Sequence, residues 1–372
     1  MQQFLIRLVI FFTPLLILVG FSFYTLWNFD EFTTNDELIE LYEENSHYIY
    51  GKSYIPSAVE VKDSIIEKHP PQIITLGNSR ALQIRKEFFK DEFSFFNYTQ
   101  TGSLNDIQKY LQKIKNSTST APEVIILVLD PQFMITGSAP EKTLAGDGLG
   151  STEWLNVISK VIQDTVTGKI PLGSLLTSKR NEFIGANANI NHVGYRNDGS
   201  YSYGDIIPGF ENSQHEDYEF RYSLRMIERN LGHFTQAQNI SQENIEELDN
   251  IFTEAEVMNI HIAIILPPFA NTVYQEMQKP HYDYSYISKI LPTLKPIADK
   301  YNYSIYDFTD PTVLRLTDSD FFDGIHWSEA ATAKAILEIS TVDGIFSNYI
   351  DNARLNKQLE QKDSKARYLF PY

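Results

Sequence analysis

The chain contains no cysteine. That excludes disulfides, a cysteine nucleophile and thiolate metal sites, and it leaves the compartment open. Positive charge is scarce: 31 Lys and Arg stand against 48 Asp and Glu, a formal net charge of −17. Proteins that grip nucleic acid through a charged patch are basic, so no nucleic-acid partner is expected. There is no Walker-type loop and no Gly-x-Gly-x-x-Gly, so nucleotide binding has no support. His47, His69, His192, His215, His233, His261 and His281 show no metal-ligand spacing, and no metal or cofactor is expected. No internal repeat is visible.

Charge is also nearly missing from one long stretch. Phe4 to Trp27 is almost wholly apolar, with Arg7 its only charge and Pro14 a potential kink. At 1.5 Å rise per residue, such a run can cross a hydrocarbon core of about 30 Å. Arg7 lies at its N-terminal end, and Asp30, Glu31, Asp36 and Glu37 follow it. This asymmetry predicts a single-pass membrane protein with its N-terminus cytoplasmic and its main domain extracytoplasmic. A cleavable signal peptide is the competing reading, but the run is long for one and no convincing small-x-small site follows.

The 372 residues suffice for one large α/β domain with insertions or for two smaller ones. Residues 1–28 are read as the anchor, 29–69 as a juxtamembrane stalk with one lead-in helix around Ser57 to Lys68. Five runs read as strands: Ile73 to Leu76, which is β-branched and apolar, Phe93 to Tyr98, Glu123 to Leu129, His261 to Leu266 and Ser304 to Phe308. Between them lie helix-like stretches around Leu82 to Lys90, Asn105 to Lys115, Tyr218 to Asn230 and Glu243 to Met258. Tyr284 to Tyr301 reads as a helix broken near Pro292 and Pro296. The alternation predicts an α/β domain over 70–345, a three-layer α/β/α unit with a parallel sheet of about five strands. Residues 131–215 read as an insertion and 346–372 as a peripheral tail.

Chemistry concentrates at two points. Gly77 breaks the first strand, and Asn78, Ser79 and Arg80 follow at once. A serine on such a turn is held on rigid backbone at the carboxyl end of the sheet, where open α/β folds bind ligands. Ordinary turn chemistry explains the same residues. Far downstream, Asp323 and His326 stand three residues apart, before the helix-forming run Glu329 to Ile339. A nucleophilic serine needs a base, and the base needs an orienter. Alone, the second motif is also explained by a helix cap with an incidental histidine. Together they give the order Ser…Asp-x-x-His.

Gly77-Asn78-Ser79-Arg80 resembles the first block of the SGNH (GDSL-type) hydrolase superfamily, with Asn78 where Asp is usual, and Asp323-Gly324-Ile325-His326 resembles its last block. Asn97-Tyr98-Thr99-Gln100-Thr101-Gly102 resembles the second block. The third, Gly-x-Asn-Asp, is not visible; Leu129-Asp130-Pro131-Gln132-Phe133 stands there instead. The resemblance spans roughly residues 70–345 and implies an SGNH/flavodoxin-like fold. It implies Ser79 as nucleophile, His326 as base, Asp323 as its orienter, and the N–H groups of Ser79 and Gly102 as oxyanion hole.

The chain is most similar to membrane-anchored SGNH-like proteins of bacterial surface-polymer acylation. That implies a serine esterase or O-acyltransferase acting on acylated carbohydrate or surface polymer. The alternative is a non-catalytic glycan-binding scaffold that partners a membrane-bound O-acyltransferase. Three residues are further substrate-binding candidates. Arg80 is read as an anion grip or a surface salt bridge, and Asp130 as a pocket residue or a helix cap. Arg196, in the tyrosine-rich segment Gly194 to Gly204, is read as part of a substrate-facing lid or of a structural loop.

Overall fold

The computed structural model describes residues 2–44, 47–55, 58–99, 103–116, 120–135, 151–176, 182–204, 217–361 and 368–370. The chain divides into two compact units. One comprises Met1–Ile65, Thr143–Asn197 and Tyr201–Ile206; the other comprises Ile66–Lys142, Asp198–Ser200 and Ile207–Tyr372. The strands, in chain order, are β1 (Ile49–Tyr50), β2 (Ile73–Gly77), β3 (Phe95–Asn97), β4 (Val124–Val128), β5 (Phe183–Ile184), β6 (Val193–Arg196), β7 (Tyr201–Tyr203), β8 (His261–Leu266) and β9 (Ser304–Asp307).

The second unit is α/β. Its sheet runs β3-β2-β4-β8-β9 with every neighbouring pair parallel, as the alternation of strands and helices predicts. Every residue of β2 and β4 is buried, which explains their unbroken apolar sequence: a parallel strand is covered on both faces. The helix Leu104–Asn116 joins β3 to β4, and Ser285–Lys300 joins β8 to β9. The helix Gln242–Val257 leads directly into β8.

Two local expectations change. The stretch from Leu82 to Lys90 is no helix; it holds one short 3₁₀ turn, Lys86–Phe88, and a second, Ser79–Ala81, precedes it. Helical bonding is unnecessary there because the Asn97 side-chain amide donates to the carbonyls of Ala81 and Ile84, each at 2.9 Å. Conversely, Ser285–Lys300 runs unbroken through Pro292 and Pro296. Both prolines are exposed, so the carbonyls deprived of an N–H partner, those of the exposed Ser288 and of Pro292 itself, can be hydrated. The C-terminal segment read as peripheral buries Phe346, Ile350 and Leu355, and Ile350 bridges Phe89.

The first unit begins with the helix Gln2–Asn28. Its stretch Ile6–Asn28, with a mean hydropathy of 2.2, is long and apolar enough to cross a membrane. Leu26 and Phe29, at its end, join a core with Tyr54, Val157, Val161 and Ile170. The segment read as stalk instead supplies β1 to a four-stranded sheet, β5-β1-β6-β7, shared with residues read as insertion. The buried Glu31 carboxylate fastens this unit, accepting the N–H groups of Ser53, Tyr54, Ile55 and Ala186 at 2.8 to 3.1 Å.

Candidate active site

The serine is set by its turn. β2 ends at Gly77 with φ +145°, and a Cβ there would lie 2.6 Å from the Val128 carbonyl oxygen, so only glycine fits. Asn78 caps the 3₁₀ turn that begins at Ser79, its side-chain oxygen accepting the Arg80 N–H at 3.1 Å. Among the described residues, the Ser79 N–H has no hydrogen-bond partner.

The Asp323–His326 loop closes on itself. The Phe322 N–H donates to the His326 carbonyl at 2.7 Å, and Phe321 and Trp327 form an antiparallel bridge. Asp323 Oδ1 accepts the N–H groups of Ile325 and His326 at 2.9 and 2.8 Å. Its Oδ2 lies 2.6 Å from His326 Nδ1, and His326 Nε2 lies 2.7 Å from Ser79 Oγ across 247 positions of sequence. An ionised carboxylate only accepts, so Nδ1 carries the proton and the serine hydroxyl donates to Nε2. Burial would raise the Asp323 carboxyl, but the His326 ring and the two N–H groups hold it well below the usual carboxylate range. The helix cap that could have explained Asp323 is made by Ser328, whose Oγ accepts the Ala331 N–H.

Two supports were not legible in the sequence. Trp327, 1% exposed, donates its indole N–H to the Arg80 carbonyl at 2.5 Å, tying the histidine loop to the serine turn. Asp217 accepts the Gly324 N–H at 3.1 Å and holds Ser223 through its hydroxyl and N–H. Both act over more than a hundred residues of chain, with no local pattern to reveal them.

The remaining candidates are Arg80, Asp130, Arg196 and Gly102. Arg80 and Asp130, read as substrate contacts, are each 1% exposed. Arg80 donates to the carbonyls of Pro267 and Pro268 at 2.9 and 2.6 Å and lies over the Phe269 ring. Neither reading of Arg80 stands: it is neither a surface residue nor an open anion grip. Asp130 caps the 3₁₀ turn Pro131–Met134 through the Gln132 N–H and accepts from Asn78. Arg196 ends β6 in the first unit and is 5% exposed. Gly102 lies outside the described residues. Among the described residues, no group of three His, Asp or Glu side chains could hold a metal ion. No protein-family model and no curated protein sequence matches the chain.

Proposed function

We propose that this protein is a membrane-anchored, extracytoplasmic serine esterase or O-acyltransferase of SGNH type, acting on acyl esters of surface glycans or polymers. The observation that carries the chemistry is the continuous hydrogen-bonded line Ser79 Oγ–His326 Nε2, His326 Nδ1–Asp323 Oδ2. The parallel sheet supports a three-layer α/β/α reading of the second unit, and the N-terminal apolar helix supports the anchor.

In this mechanism Ser79 Oγ attacks the ester carbonyl while its proton passes to His326 Nε2. Asp323 stays ionised, holds the ring in its tautomer and stabilises the imidazolium. The N–H of Ser79, without a partner among the described residues, is available to the oxyanion, a contribution of about 3–4 kcal/mol per donor in comparable sites. Collapse of the tetrahedral intermediate expels the alcohol, which takes the proton back from His326. Water or a sugar hydroxyl then removes the acyl group by the same steps. The test is hydrolysis of an activated acetyl ester by the full chain in detergent. Turnover that vanishes in Ser79→Ala supports the reading. No turnover on activated esters or on acetylated glycans contradicts it and favours the scaffold alternative.

A further inference from the structure

Directly behind the serine turn lies a buried carboxylate, Asp130, 1% exposed. Asp130 Oδ2 accepts the Asn78 side-chain N–H at 2.8 Å. The same oxygen lies 3.6 Å from Arg80 Nη1 and 3.6 Å from His233 Nδ1. Asn78 turns its other side-chain atom forward: its Oδ1 accepts the Arg80 N–H, the peptide that follows Ser79. The amide is therefore used at both ends, as a donor to Asp130 and an acceptor from the backbone. Arg80 closes the circuit, with one guanidinium nitrogen on the carbonyls of Pro267 and Pro268 and another beside Asp130. Its own carbonyl receives the Trp327 indole N–H.

We infer that Asn78 and Asp130 are positioning residues for the nucleophile: the Asp130 carboxylate orients the Asn78 amide, and that amide sets the backbone which aims Ser79 at His326. This rests on the proposed triad. An aspartate at position 78 could cap the turn equally well, since capping needs only an acceptor oxygen. It could not donate to Asp130, and two carboxylates less than 3 Å apart in a buried site repel. The amide at 78 and the carboxylate at 130 are thus complementary, and exchanging them keeps both the hydrogen bond and the net charge beside Arg80. Burial would raise the Asp130 carboxyl, but Arg80, His233 and Asn78 hold it well below the ordinary range, consistent with a fixed anion.

The exchange gives a test with an internal rescue. Full-length protein in detergent is reacted with a fluorophosphonate, and the rate constant of Ser79 modification is separated from probe affinity by varying probe concentration. Asn78→Asp is expected to slow modification at least tenfold with probe affinity unchanged. The double variant Asn78→Asp/Asp130→Asn is expected to recover most of the rate. Thermal melting of each variant separates misaiming from unfolding: Asn78→Asp should melt lower, and the double variant should melt closer to wild type. If Asn78→Asp reacts like the wild type, or the double variant reacts no faster than the single one, the inference is overturned while the triad stands. If the wild type is not modified at all, the triad reading fails and the positioning role fails with it.

Discussion

At the scale of single residues, Asp323 divides its two oxygens between two tasks. One accepts two backbone N–H groups and fixes the loop; the other faces the imidazole. An amide in its place can still accept the N–H groups but offers the ring a donor or a neutral acceptor. Asp323→Asn is therefore expected to fold normally and to lower kcat by orders of magnitude, roughly 10⁴-fold where such an exchange favours the wrong tautomer. Ser79→Ala should fall to background, and His326→Ala should match it, because members of a triad act as a unit. Steady-state turnover of an activated acetyl ester measures all three. Gly77 is a second decisive residue. Gly77→Ala would set a Cβ 2.6 Å from the Val128 carbonyl at φ +145°, and a loss of about 1–3 kcal/mol in urea unfolding is expected.

At the scale of elements, the three inner strands of the parallel sheet were legible because burial on both faces leaves a continuous apolar run. Ile73–Gly77, Val124–Val128 and His261–Leu266 carry that signal plainly. The second sheet was not legible: β1 and β5 are two residues long, too short for any periodicity to show. The residues Ser79, Asp323 and His326 could be picked out by type and spacing, whereas Trp327 and Asp217 could not, since an indole or a carboxylate shows no local sign of a distant partner. Outside the site, Asp343 links β8, β9 and the helix Glu329–Val342. It lies 3.1 Å from His261 Nε2 and accepts the Tyr306 hydroxyl at 3.0 Å. Burial would raise its carboxyl, but these partners and the Phe346 N–H bring it down to about 2. A carboxyl depressed in the folded state stabilises fully above its unfolded value, about 3.9, and loses that contribution as pH falls through the folded value. Stability should therefore decline between about pH 4 and about pH 2, and Asp343→Asn should flatten that decline in denaturation measured across the range.

At the scale of the whole molecule, the chain combines an apolar N-terminal helix with an α/β unit that brings Ser79 and His326 together from opposite ends of its sequence. The proposed topology puts residues beyond about 30 outside the cytoplasm. A C-terminal alkaline phosphatase fusion in a bacterial host should be active and a green fluorescent protein fusion dark; the reverse pattern contradicts that orientation. In the proposed mechanism two short motifs, each with an ordinary explanation alone, form one nucleophilic site. Intact-mass analysis of the full chain after fluorophosphonate treatment tests it most directly. The expected result is one adduct per chain, mapped to Ser79 by peptide sequencing and lost in both Ser79→Ala and His326→Ala. An unmodified wild type, or an adduct that persists in Ser79→Ala, would contradict it.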